Sequence, residues 1–257
     1  MTIANRSIIR RKWEADVPNV GANPLPRRVR VRKSFRVAAI VCALALALGT
    51  GLWHRFLFMG NVAAADSGRL IRTSQPKGNL VFLLDQYRPA TVLNLRGGSW
   101  NDPWYRAEAL EVEKRGLAFY DLPMSASRRP SRKELLLLID ILDRSDLPIL
   151  VHCKSGSDRT GLATGLYYML RLNLPPRAAS ERAFSIWRGH IALFGPERLH
   201  EPLDEYAAWL ALRGLPHTAE RFRRWVADDY TDGEFRAQFA PLQPGPRRPR
   251  PQPIKPS

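Results

Sequence analysis

Cysteine is scarce in this chain, which has only Cys42 and Cys153 among its 257 residues. Cys42 falls inside a run of apolar residues and Cys153 in a short polar segment, so the pair does not predict a structural disulfide. Histidines, cysteines and carboxylates at metal-ligand spacing are missing as well, and the sequence shows no internal repeat. The sequence therefore predicts no metal site, no cofactor and no repeat architecture.

Acidic residues are few relative to basic ones: 24 Asp and Glu face 40 Lys and Arg, a formal net charge of +16. The excess lies at the ends, since residues 1–36 carry +8, residues 241–257 carry +4, and only +4 remains for residues 37–240. A nucleic-acid-binding domain would place its positive charge on a folded surface. The distribution argues against a nucleic-acid partner. It also predicts a basic disordered segment at 1–36 and a Pro/Arg-rich disordered tail at 241–257.

Charged residues are absent from Val37 to Trp53, and residues 37–58 are predicted to form a single transmembrane helix that acts as an uncleaved anchor. Six basic residues lie between Arg27 and Arg36. The positive-inside rule then predicts a single-pass protein of the inner (cell) membrane, with a cytoplasmic N-terminus and its main domain extracytoplasmic or periplasmic.

Two alternatives to an anchor are a cleaved signal peptide and a buried core helix. The small residues Val62–Ala65 resemble a cleavage site, but they lie well past the apolar run, and the preceding basic region is long for a signal peptide. A core helix is disfavoured because the run has no amphipathic pattern.

Residues 60–240 alternate between short apolar runs and helical patterns. Strand-like runs occupy residues 70–73, 91–95, 118–122 and 149–151. Helical patterns separate them and continue beyond the last one. This order predicts an α/β domain over 60–240 with a mainly parallel central sheet flanked by helices. Ligands of such sheets bind at the carboxyl ends of central strands, which here directs attention to the residues after 151.

Residues 152–161 read HCKSGSDRTG and stand between a predicted strand and a predicted helix. The backbone N–H groups of a loop that opens a helix bind phosphate oxygens, and Arg159 can add a bidentate fork. The same positive surroundings favour the thiolate form of Cys153, which would make it a nucleophile. Besides Cys153 and Arg159, the predicted phosphate contacts are Lys154, Ser155, Gly156 and Ser157.

The residues of this loop also allow other interpretations. A Walker-type nucleotide loop requires lysine after its second glycine, but Leu162 follows Gly161. A sulfur-carrier loop is disfavoured by the sequence Arg-Thr-Gly at 159–161. A buried, inert Cys153 and a catalytically inactive phosphate-binding module stay open as alternatives.

The pattern Cys-x5-Arg-Thr-Gly, with histidine before the cysteine, resembles the signature of the protein tyrosine phosphatase superfamily, and in particular its bacterial dual-specificity-like branch. The stretches GRLIRTSQP at 68–76 and TVLNLR at 91–96 agree, and the resemblance covers roughly residues 60–235. It implies the cysteine-phosphatase fold and phosphomonoester hydrolysis through a phosphocysteine intermediate. In these roles Cys153 is the nucleophile and Arg159 the phosphate clamp. Thr160 assists departure of the thiolate, and His152 orients the cysteine.

The proton donor for the leaving group has two candidates. Asp121 lies 32 residues before Cys153, near the spacing that the resemblance implies for an aspartate on a separate loop. Asp158 lies inside the catalytic loop, where its context resembles that of myotubularin-type phosphoinositide phosphatases. The alternative for Asp158 is an ion pair that braces Arg159.

The substrate prediction rests on cations near the loop. Arg128 and Arg129 belong to a segment, 125–129, that is predicted to overhang the site, and Lys154 lies within the loop itself. These charges favour an anionic substrate, either a phosphotyrosine or phosphoserine protein or an anionic phospholipid. A membrane-tethered phosphate-recognition module with weak or no catalysis is the alternative function. His190 stays open between a packed residue and one near the site.

Overall fold

The computed structural model describes residues 28–57, 60–192 and 195–232. The chain divides into two compact units, residues 1–50 and residues 51–257. Residues 1–27 of the predicted basic segment, residues 233–240 of the predicted domain and the whole tail 241–257 lie outside the described residues.

One long helix, α1 (Arg28–Leu57), contains residues 37–57 of the predicted anchor, and residue 58 lies outside the described residues. It begins earlier than residue 37, so residues 28–36 are helical, not irregular as the sequence predicted; this stretch contains no glycine or proline, the two residues that most disfavour a helix. Its window Ser34–Gly51 has a mean hydropathy of 1.8 and is not buried by protein. By length and composition, this helix alone among the described residues is able to cross a membrane.

A five-stranded sheet organises the second unit in the order β1-β2-β5-β3-β4. Its strands are β1 (Ala63–Ala65), β2 (Leu70–Ser74), β3 (Thr91–Asn94), β4 (Ala118–Asp121) and β5 (Ile149–Cys153). Only the short edge strand β1 pairs antiparallel among these; the other neighbours are parallel. The predicted α/β fold with a mainly parallel sheet is confirmed.

Helices flank this sheet. They are α2 (Leu80–Tyr87), α3 (Pro103–Lys114), α4 (Arg132–Arg144), α5 (Asp158–Arg171), α6 (Pro176–Ala183), α7 (Glu201–Arg213) and α8 (Ala219–Asp228). Short 3-10 turns at Ile186–Arg188 and Pro196–Leu199 connect α6 to α7. Local sequence sets several helix starts: Ser131 and Glu134 form a capping box at α4, and Pro103 is the first residue of α3.

Alternation along β5 assigns its side chains to opposite faces of the sheet. Val151 and Cys153 belong to the larger core, which includes Leu166 of α5. Leu150 belongs to the smaller core on the other face. His152 shares that second face, where it contacts Glu108 of α3. Cys153 and His152 therefore lie on opposite faces of the sheet and have different neighbours.

Candidate active site

Cys153 is the last residue of β5, the central strand, and is only 1% exposed. The chain then turns through residues 154–157, and α5 begins at Asp158. The predicted arrangement of strand, loop and helix start is present, and the cysteine lies at the carboxyl end of a parallel strand, where such sheets bind ligands.

The loop turns its carbonyl groups outward, onto donors from other elements. The backbone N–H of Gln75 donates to the Lys154 carbonyl at 3.3 Å. Asn61 Nδ2 donates to the carbonyls of Ser155 and Gly156, both at 3.1 Å. Because a trans peptide holds its N–H opposite its C=O, the N–H groups of these peptides face the inside of the loop. A ring of inward amides is an anion-binding concavity.

Arg72 completes this outer support from β2. Its Nη2 donates to the carbonyls of Gly156 at 3.0 Å and Ser157 at 3.3 Å, and its Nη1 donates to Ala183 O at 2.6 Å. The Ser157 hydroxyl donates to Arg188 O at 2.8 Å, so this predicted phosphate contact also supports the loop.

Gly156 is the residue that lets the loop lie against β2. Its φ is +71°, in the left-handed region, and a Cβ at this position would lie 2.6 Å from both Thr73 O and Ser74 N. Any larger residue would therefore be strained by both its backbone conformation and this contact.

Arg159 is held in place by backbone oxygens. The side chain is buried, and Nη1 donates to Leu95 O at 3.3 Å and to Met124 O at 3.1 Å. Its Nε has no hydrogen-bond partner among the described residues. The guanidinium thus keeps donor capacity for a ligand while its orientation is fixed from one side.

Thr160 and His152 flank the loop with different partners. The Thr160 hydroxyl is fully buried and has no hydrogen-bond partner within the described ranges, so it is free to donate to sulfur or to a bound phosphate. His152 Nε2 lies 2.8 Å from Glu108 Oε1, and both side chains are buried. Gln75 Nε2 donates to the other carboxylate oxygen of Glu108 at 3.2 Å. Glu108 thus lies between Gln75 and His152, the residue before the cysteine.

The two acid candidates lie in different places. Asp158 is the first residue of α5, and its Oδ1 lies 2.7 Å from His190 Nδ1. Asp121 is the last residue of the edge strand β4 and is exposed as a whole residue. Its carboxyl lies near Tyr105, Glu108 and His152. Burial of its carboxyl by these neighbours raises the pKa of Asp121, and the charge of Glu108 adds to that, although a hydrogen bond with Tyr105 opposes it. Asp121 therefore belongs to the His152 side of the sheet, opposite Cys153.

The two arginines predicted to bind substrate separate. Arg128 is exposed and pairs with Glu134 at 3.0 Å. Arg129 is buried, paired with Glu201 at 3.4 Å and with Glu205, and its guanidinium lies over the Tyr230 ring. These partners match the charge of Arg129 inside the protein and argue against its predicted contact with substrate. Lys154 and Ser155 are exposed on the loop.

Sequence reasoning gave no role to Asn61 or Arg72, and left His190 undecided. Arg72 lies within the stretch 68–76 that supported the resemblance, which was the one available signal for it. Asn61 is buried in a left-handed conformation with φ of +52°, and nothing in its local sequence indicates that it supports a loop 94 residues away.

Residues 71–171 match a family model described as "Polymorphic toxin system, DSP-PTPase phosphatase". The match runs from β2 through α5 and contains the whole loop. These residues belong to the dual-specificity-like branch of the protein tyrosine phosphatase superfamily. The chain therefore contains a protein-tyrosine-phosphatase-like phosphatase domain.

The phosphatase is also similar to solved structures. P. aeruginosa TpbA is 22% identical, with a TM-score of 0.42, covering 59% of this chain and 91% of that one. The core catalytic domain of the PP-IP phosphatase SIW14 from S. cerevisiae is 21% identical, with a TM-score of 0.41 and coverage of 62% and 96%. PTPMT1 in complex with PI(5)P is 19% identical, with a TM-score of 0.43 and coverage of 60% and 98%. A comparison with curated proteins found no match.

Proposed function

We propose that this phosphatase hydrolyses phosphomonoesters through a phosphocysteine intermediate formed on Cys153. The observation that carries the proposal is the orientation of the loop: the carbonyls of residues 154–157 all accept hydrogen bonds from outside it. Inward amides and the Arg159 guanidinium supply donors for three phosphate oxygens. They stabilise the charge that spreads over these oxygens in the transition state.

In the first step the Cys153 sulfur attacks phosphorus, the S–P bond forms and the bond from phosphorus to the leaving oxygen breaks. That oxygen takes a proton from an aspartic acid. In the second step the resulting aspartate accepts a proton from water as the water oxygen attacks phosphorus. The S–P bond breaks, inorganic phosphate leaves, and the Thr160 hydroxyl donates to the departing thiolate.

For the proton donor we favour Asp158 over Asp121. Asp158 adjoins Arg159 at the start of α5, so its carboxyl belongs to the same turn that holds the phosphate. Asp121 has the raised pKa that suits an acid, but its neighbours Tyr105, Glu108 and His152 belong to the other side of the sheet. Position takes precedence over pKa here, because a general acid must be within hydrogen-bond reach of the leaving oxygen.

The proposed substrates are phosphotyrosine or phosphoserine proteins, or anionic phospholipids. The exposed Lys154 on the loop and Arg128 on the segment after β4 support an anionic substrate. A phospholipid agrees with a further proposal, that α1 anchors the chain in the inner membrane, with its basic N-terminal side cytoplasmic and the phosphatase domain extracytoplasmic. Protease protection of inverted and right-side-out membrane vesicles tests that orientation.

The test of the function is hydrolysis of an aryl phosphate by the full chain in detergent, beside Cys153→Ser. We expect turnover by the wild type and none above background for the serine variant. Asp158→Asn and Asp121→Asn are then compared on an alkyl phosphate, whose leaving group needs a proton. Asp158→Asn should lower kcat about 10²–10⁴-fold. Equal activity of wild type and Cys153→Ser would reject the proposal, and phosphate binding without turnover would indicate a recognition module.

A further inference from the structure

Asp158 is bound by a buried histidine from a distant part of the chain. His190 is 6% exposed, and its Nδ1 lies 2.7 Å from Asp158 Oδ1. The two residues are 32 positions apart, and the contact joins the start of α5 to the segment after the 3-10 turn at Ile186–Arg188. A buried imidazole aimed at the carboxyl of the proposed acid is a feature that packing alone does not require.

The position of His190 is fixed by its backbone. Gly189 adopts a left-handed φ of +76° at the end of the 3-10 turn, a conformation that favours glycine. The chain then reverses, so that the His190 N–H donates to Ser185 O at 3.0 Å. The same segment is tied to the catalytic loop, because Arg188 O accepts from Ser157 and Asn61.

The His190 ring packs against Phe184, which in turn packs against Gly161 next to the loop. It lies against the Phe184 ring, with centroids 4.7 Å apart. Phe184 in turn lies where a side chain on Gly161 would be, since a Cβ there would be 2.7 Å from its Cε1. Asp158 and Gly161 are three residues apart and share one face of α5. Because Gly161 has no side chain, Phe184 can pack against the face of α5 that carries Asp158, and His190 packs against Phe184.

The surroundings also indicate which nitrogen carries the proton. His190 Nε2 is buried and has no hydrogen-bond partner in the described part of the chain. A proton on Nε2 would leave a buried donor unsatisfied, so the neutral tautomer protonated on Nδ1 is favoured. Nδ1–H then donates to Asp158 Oδ1. The neighbouring His200, whose ring centroid lies 5.5 Å from that of His190, is bound to Asp204, and this hydrogen bond raises the pKa of His200.

We infer that His190 is a positioning residue for the proton donor. By occupying Oδ1 of Asp158, it leaves Oδ2 to hold the proton that passes to the leaving oxygen, and it fixes the direction in which that proton is presented. The inference rests on the proposed function and on the role given there to Asp158. A fixed geometry matters because general acid catalysis requires the donor to be aligned with the oxygen that it protonates.

The test compares alkyl and aryl phosphates with the full chain in detergent. His190→Ala should lower kcat for the alkyl phosphate about tenfold or more, a fraction of the effect of removing the acid itself. It should change the aryl phosphate, whose leaving group needs little protonation, by less than about threefold, with KM unchanged for both. His190→Asn should restore alkyl turnover, because its amide N–H can take the place of Nδ1–H, whereas His190→Gln places its amide farther out and should not.

Two controls separate positioning from loss of structure. His217 is another partly buried histidine, and its Nε2 lies 3.1 Å from Met169 O, near the other end of α5. His217→Ala should leave the ratio of alkyl to aryl turnover unchanged. In an Asp158→Asn background, His190→Ala should cause no further change in that ratio.

The result that would overturn the inference is an equal fall on both substrates, or equal behaviour of His190→Asn and His190→Gln. If the wild type shows no turnover above that of Cys153→Ser, the proposed function is rejected together with this inference. Cys153-dependent turnover with an unchanged ratio in His190→Ala removes the inference alone.

Discussion

Arg72 of β2 donates a hydrogen bond to the carbonyl of Gly156 at 3.0 Å, so a buried arginine holds the loop at residues 154–157 from outside. Arg72→Met keeps much of the side-chain length but removes the donors to Gly156, Ser157 and Ala183. Ala183 O then loses the donor that Arg72 supplied, while Gly156 O keeps Asn61 and Ser157 O keeps the Gly161 N–H. The loss should lower the free energy of unfolding by about 1–3 kcal/mol. It should also weaken binding of a phosphate analogue, because the loop amides lose their fixed orientation. Denaturant unfolding and inhibition of the full chain by vanadate measure the two effects.

The matched control for this change is Arg177→Met on α6, an exposed arginine. A surface substitution of this kind should alter stability by less than about 0.5 kcal/mol. Similar losses in both variants would show that Arg72 gives the loop no specific support.

Alanine substitutions at Gly156 and Gly116 separate two costs to stability: the steric clash of a Cβ with β2, and the strain of a left-handed backbone conformation. Both have a positive φ, +71° and +66°, but a Cβ on Gly156 would lie 2.6 Å from backbone atoms, and one on Gly116 would meet nothing within 4 Å. Gly116→Ala should therefore cost about 1 kcal/mol for its left-handed conformation. Gly156→Ala should cost more and abolish turnover. Equal stability losses, with turnover retained, would contradict the account of the loop.

Arg128 and Arg129 are adjacent arginines with opposite predicted phenotypes. Arg129→Met leaves Glu201 and Glu205 without their buried partner and should destabilise the protein by about 3–5 kcal/mol. Arg128→Met should leave stability nearly unchanged and raise KM for a multiply anionic substrate. Thermal unfolding and steady-state kinetics in detergent check both. A stable Arg129→Met variant with a raised KM would return that residue to the substrate site.

Asp121 should affect stability in a pH-dependent way. Because burial raises its pKa in the folded protein above the ordinary value of 3.8, ionising it opposes folding. Stability should fall as pH rises from the unfolded pKa to the raised folded pKa, and the full cost is present at neutral pH. Asp121→Asn should therefore match or exceed the wild-type Tm at pH 7, and the difference should vanish at about pH 3, where both states are protonated. A lower Tm at pH 7 would contradict this.

The sequence was sufficient for the features that local pattern determines. The alternation of strands and helices and the turn between Cys153 and Asp158 both follow from neighbouring residues. Contacts between distant residues were not predictable in this way. Arg129 resembled a surface cation because Glu201 and Glu205 lie 72 and 76 residues further along the chain. His190 and Asn61 become meaningful only when the fold brings their segments to the loop.

The central claim is tested most directly by trapping the covalent intermediate. The full-length Asp158→Asn variant, mixed with an aryl phosphate and quenched in acid, would be digested and examined by mass spectrometry. Slowed hydrolysis of the intermediate should leave Cys153 heavier by one phosphoryl group, and the adduct should be absent from the Cys153→Ser, Asp158→Asn double variant. Hydrolysis of the same substrate with no phosphoryl group on Cys153, or with one on another residue, would contradict the account.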